Sequence, residues 1–90
     1  MPNKLRFLFG KGIIDIILFI DKFGKAGYYE LYKQNFVVSR QSFSNALKSL
    51  EKNGIADRKV IENRPPRVEY SLTSKGKEIA ASLKHIDEIL

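Results

Sequence analysis

The sequence predicts a small α+β fold, mostly helical, with a two-stranded hairpin set between helices. Three observations predict it. Residues 38–53 carry apolar side chains at helical spacing, between a capping serine and a terminating glycine. After Gly54 the apolar period changes from helical to alternating, as far as Leu72. From Thr73 the helical period returns and runs to the chain end. Ninety residues are enough for one domain, 1–90.

Composition narrows the function classes. Apolar residues make up 43% of the chain, adequate for a core but not for an enclosed ligand cavity as well. Lys and Arg number 16 against 10 acids, a net charge of +6, which favours nucleic acid or an anionic surface as partner. There is no Cys, so disulfides, thiolate metal sites and thiol redox switches are excluded. The single His, His85, has no second His or Cys at ligand spacing and is expected at the surface or an interface. Lys4 and Arg6 precede an apolar stretch, but Lys11 and Asp15 interrupt it and no small-residue cleavage site follows. The longest apolar run, Ile16 to Ile20, is far short of the roughly 20 residues that span a bilayer. The expectation is a soluble, cytoplasmic chain with no membrane role.

The elements follow in order. Residues 1–10 form an arm with Leu5, Phe7, Leu8 and Phe9, too apolar to stand free, so it should pack on the domain or a second subunit. Lys11 to Phe23 reads as the most buried helix, with Asp15 and Asp21 among its few solvent-facing positions. Gly24 to Gly27 is a short turn with at most one or two residues of strand. Tyr28 to Gln34 reads as a short helix, Leu31 and one or two tyrosines inward, followed by a brief turn at Phe36 and Val37. Ser39 then caps a helix that stops at Asn53-Gly54, where glycine can adopt the left-handed conformation. Ile55 to Glu62 and Arg67 to Leu72 read as strands around Asn63-Arg64-Pro65-Pro66. Thr73 caps the last helix, in which Gly76 is a mild cost. Its stripe of Ile79, Ala80, Leu83, Ile86, Ile89 and Leu90 is longer than a small domain needs for itself. Two short helices in tight succession, then a basic hairpin, read as a winged helix-turn-helix.

The 39–53 helix has two unlike faces. Phe43, Ala46, Leu47 and Leu50 form the apolar stripe. Gln41, Ser44, Asn45, Lys48 and Lys52 form an acid-free polar face, beside Ser39 and Arg40 at its start. In the major groove Gln and Asn can pair with adenine and Lys with guanine. Arg58, Lys59, Arg64 and Arg67 surround the hairpin, where phosphates or a narrow minor groove would attract them. The plain alternative is a solvated helix face and a hairpin whose charges protect an edge strand. Scattered acids such as Asp15, Asp21, Glu30 and Glu51 suit outer helix faces, and no catalytic, metal or phosphate-loop constellation appears, so no enzyme is expected. The expected partner is double-stranded DNA, with no cofactor, metal or evident small-molecule ligand. A homodimer is expected, with Leu5, Phe7 and Phe9 of the arm and Leu83, Ile86 and Leu90 of the last helix at the contact. The other readings are a winged helix used as a protein-interaction module, or an architectural protein without sequence preference.

At Leu50-Glu51-Lys52-Asn53-Gly54-Ile55 with Arg58, and at Pro65-Pro66-Arg67-Val68-Glu69-Tyr70-Ser71-Leu72-Thr73-Ser74-Lys75-Gly76, the chain resembles the HxlR family of winged-helix transcriptional regulators. Weaker echoes lie at Gly10-Lys11, Tyr29-Glu30-Leu31 and Ser39, and the likeness covers Gly10 to about Leu83. The resemblance implies a homodimer that binds DNA and regulates transcription without an enzymatic step. By position it places Arg40, Gln41, Ser44, Asn45 and Lys48 in or beside the groove, with Arg64 and Arg67 in the wing. The chain departs from the family in having Gly12-Ile13 where a Trp often follows Gly-Lys. It also lacks the Cys through which some members sense oxidants. The MarR family has a similar wing, but its longer helical dimer region does not fit into 90 residues.

Overall fold

The computed structural model describes residues 3–90, so the first two residues of the predicted arm lie outside the described residues. Helix α1 (Asn3–Arg6) runs into a 3-10 turn at Phe7–Phe9. Helix α2 (Ile13–Phe23), strand β1 (Lys25–Gly27), helix α3 (Tyr28–Tyr32) and helix α4 (Arg40–Lys52) follow. Strands β2 (Ala56–Ile61) and β3 (Arg67–Leu72) form the hairpin, and helix α5 (Ser74–Ile89) closes the chain. The predicted winged helix-turn-helix is the fold observed.

α2 is the centre of the core. Ile16, Ile17 and Ile20 are wholly buried, and Ile13 nearly so. Leu31, Phe43, Leu47, Leu50, Ile55, Tyr70 and Ala80 close around them. Each of the large aliphatic and aromatic chains contributes about 1.5–3 kcal/mol when fully buried. α2 starts two residues later than predicted because Gly12, at φ 75°, forms a left-handed turn before it. A Cβ there would collide with Cγ2 of Val37, so both the backbone sign and the close approach require glycine.

Three expectations are corrected. The segment after Gly24 is a full three-residue strand: β1 pairs antiparallel with β3, Ala26 opposite Tyr70, giving a sheet of order β1-β3-β2. The alternation of apolar residues that reveals longer strands cannot show in three residues. Asp21, expected to face solvent, is half-buried and its Oδ2 lies 2.8 Å from Lys84 Nζ, tying α2 to α5. Gly76 is no mild cost: it is buried, and a Cβ there would run into the carbonyl of Ile55, so α5 can approach the β2 start only through glycine.

The ends divide between core and solvent. Phe7 and Leu8 pack against the core, whereas Leu5 and Phe9 are exposed. On α5, Ala80 is buried and Ile79 and Leu83 are half-buried, but Ile86, Ile89 and Leu90 are 51%, 70% and 97% exposed. The last helix therefore projects beyond the body, and the described residues span 44 × 25 × 22 Å.

Candidate nucleic-acid interface

Local signals fix α4. The Ser39 hydroxyl accepts the Ser42 amide at 3.2 Å, and Ser39 is extended at φ −94°, ψ 135°. At the other end the Ile55 amide bonds to the Leu50 carbonyl at 2.9 Å across Gly54, which sits at φ 71°. Lys75 Nζ donates to the Asn53 carbonyl at 2.8 Å, a cation on the negative end of the helix. Phe43, Ala46, Leu47 and Leu50 are all buried, so the opposite side must face outward.

That outward side carries Gln41, Asn45, Lys48 and Lys52, all exposed. Gln41 Nε2 donates to Asn45 Oδ1 at 3.1 Å. The pair leaves the Gln41 carbonyl as an acceptor and an Asn45 N–H as a donor, the complement of adenine N6 and N7. Ser44 does not lie with them. It is half-buried on the shoulder of the helix, its hydroxyl 3.1 Å from the Tyr28 hydroxyl. That Ser44 hydrogen bond, with Arg40 nearby, holds the Tyr28 phenol below its usual pKa against the opposing effect of burial. Arg40 is exposed, and its guanidinium carbon stands 5.5 Å from the centre of the Tyr32 ring, a cation–π stack.

The wing residues divide by strand parity. Arg58 stands opposite Tyr70 on the face of β2 that looks toward α4. The two share a cleft with Ser44, Lys48 and Glu51. Burial pushes the Tyr70 phenol up in pKa, and Arg58 partly offsets this. Lys59 stands opposite Glu69 on the outer face. Glu69 also takes Arg67 at 3.2 Å and Lys25 at 3.9 Å, so the charge of Arg67 is partly spent within the sheet. Arg64 is exposed at the hairpin tip, with no acid within 4 Å among the described residues. The structure thus brings Gln41, Asn45, Lys48 and Lys52 to one face, flanked by Arg40 and Arg58. Lys59 and Arg67 lie around the corner.

Three residues outside the sequence expectations border this face: Tyr28, Tyr32 and Val38. The tyrosine spacing of four would have put Tyr28 and Tyr32 on one side of α3. Their rings are stacked with centroids 6.4 Å apart, and both contact Phe43. Among the described residues no group of three His, Asp or Glu side chains could hold a metal ion. No helix of the described residues is long and apolar enough to cross a membrane.

A family model described as HxlR-like helix-turn-helix matches residues 7–90. An uncharacterized HTH-type transcriptional regulator of Methanothermobacter thermautotrophicus is 33% identical over 73 residues, 81% of this chain and 56% of the relative. This chain therefore spans little more than half the length of that relative. A second uncharacterized HTH-type transcriptional regulator, from Halalkalibacterium halodurans, is 32% identical over 84 residues, 93% of this chain and 74% of the relative. Among solved structures, the reduced form of the transcriptional regulator YodB from B. subtilis superposes with a TM-score of 0.74 at 27% identity. It covers 98% of this chain and 89% of that one.

Proposed function

Because the chain belongs to the HxlR-like helix-turn-helix family, we propose that it is a homodimeric transcriptional regulator that binds a specific sequence of double-stranded DNA. One observation carries the reading: the outward face of α4 holds Gln41, Asn45, Lys48 and Lys52, without an acid, beside Arg40 and Arg58. α4 enters the major groove, α3 crosses the backbone, and the wing lies on the backbone or in the minor groove. Gln41 and Asn45 read bases. Ser39, Arg40, Lys48, Lys52, Arg58 and Arg64 meet phosphates or the groove edge, and Lys59 and Arg67 add to the field of the wing.

Residues 1–90 form one domain in this reading, and the chain acts in the cytoplasm without an enzymatic step. The exposed Leu5, Phe9, Ile86 and Leu90 supply the contact between two copies, and Phe7 and Leu83 buttress it from the core side. A dimer carries a net charge of about +12, twice the +6 of one chain. It presents two α4 helices about 34–36 Å apart to two half-sites.

The test compares two variants on a preferred duplex and on a random one. Asn45→Ala loses about 1–3 kcal/mol on the preferred duplex only. Arg64→Ala weakens both duplexes alike and lowers the salt dependence of binding. Equal losses on both duplexes for both variants would remove base reading by α4. Absence of DNA binding even at low salt, with a salt-insensitive protein complex instead, would favour an interaction module.

A further inference from the structure

Val38 stands immediately before the cap of α4 and is fully exposed, at 104% of its reference surface. An apolar residue at this position ordinarily folds back on the fourth helical residue, here Phe43. In this chain that seat is taken. The rings of Tyr28 and Tyr32 lie 5.2 and 5.5 Å from the Phe43 ring. Val37 turns inward instead, 7% exposed, and closes against the Gly12 turn. Val38 is therefore held outward on a backbone fixed from both sides, by the burial of Val37 and by the Ser39 cap.

Its surroundings are polar. Ser39, Arg40 and Gln41 are all exposed beside it. The other exposed aliphatic side chains among the described residues lie elsewhere: Leu5, Ile86, Ile89 and Leu90 at the two ends, Val60 on the wing. The N-terminal end of a groove helix is the part that reaches base edges. Major-groove edges offer one apolar group, the 5-methyl of thymine. A β-branched side chain is stiff at χ1 and loses little freedom on docking there.

We infer that Val38 is a base-reading residue that packs on the 5-methyl group of a thymine, next to the base read by the Gln41–Asn45 pair. The inference rests on the DNA-binding reading above and adds a base preference to it. The experiment takes the best duplex recovered by selection from a random pool, and copies in which one thymine at a time is replaced by deoxyuridine, which lacks only the methyl. Wild type and Val38→Ala are titrated on each, with circular dichroism melting to confirm an unchanged fold. Wild type loses about fourfold in affinity at one thymine of each half-site, the effect of burying one methyl-sized group. Val38→Ala binds the parent duplex more weakly by a similar factor and is indifferent to that replacement. A wild type insensitive at every thymine, or a variant with the same sensitivity as wild type, overturns the inference while leaving DNA binding intact. A wild type that binds no duplex from the pool removes the regulator reading, and the role of Val38 with it.

Discussion

Gly76 lies inside the first turn of α5, where glycine ordinarily weakens a helix. Its reason is a neighbour 21 positions earlier in the chain: the carbonyl of Ile55 occupies the space a Cβ would need. Gly76→Ala must push α5 away from β2, and a loss of about 1–3 kcal/mol or more follows. In a domain of this size that lowers the Tm by at least about 5 °C. A calorimetric melt unchanged within a degree would show that the approach is not tight. Thr73 beside it works in both directions. Its hydroxyl donates to the Gly54 carbonyl at 2.6 Å and accepts the Gly76 amide at 3.0 Å. Thr73→Ala removes a helix cap and leaves that carbonyl without its donor, a loss of about 0.5–2 kcal/mol measurable by urea unfolding. The capping role of Thr73 was legible in the sequence. The need for glycine at 76 was not, because the clashing atom belongs to a different element.

Among the elements, legibility followed length and periodicity. α4 was readable end to end, since Ser39, the 43-46-47-50 stripe and Gly54 all signal locally. β3 matched its predicted span of 67–72 because six residues alternate clearly. β1, with three residues, had no period to show. α3 stopped at Tyr32 instead of Gln34: the Gln34 and Asn35 amides bond to carbonyls three residues back, Leu31 and Tyr32, and Asn35 then takes a positive φ of 57°. The outer face of α4 was also legible, except Ser44, whose hydrogen bond to Tyr28 depends on how α3 packs. The wing charges were legible as a cluster but not by face, because Glu69 meets Lys25 and Lys59 only once β3 is laid between β1 and β2. α5 is the element with surface left over. Ile86, Ile89 and Leu90 at its end are exposed beside Asp87 and Glu88, while Lys84 anchors the preceding turn to Asp21. Ile86→Glu combined with Leu90→Glu is expected to convert the proposed dimer to a monomer in sedimentation velocity, with melting little changed. Unaltered sedimentation would place the subunit contact elsewhere.

For the whole molecule, charge and symmetry make the prediction. One chain carries +6, with Arg58 sharing a cleft with Lys48 of the α4 face and Arg64 exposed at the hairpin tip. A dimer making six to ten phosphate contacts is expected to lose about 10³–10⁵ in affinity between 50 and 200 mM salt. Two α4 helices on a two-fold axis should read an inverted repeat. The measurement that tests this most directly is selection from a pool of random duplexes, with sequencing, at two salt concentrations. The expected result is an inverted repeat with half-site centres about one helical turn, 10–10.5 bp, apart, and weaker binding at the higher salt. Salt-sensitive binding with no enriched motif would contradict it and leave an architectural DNA-binding protein in its place.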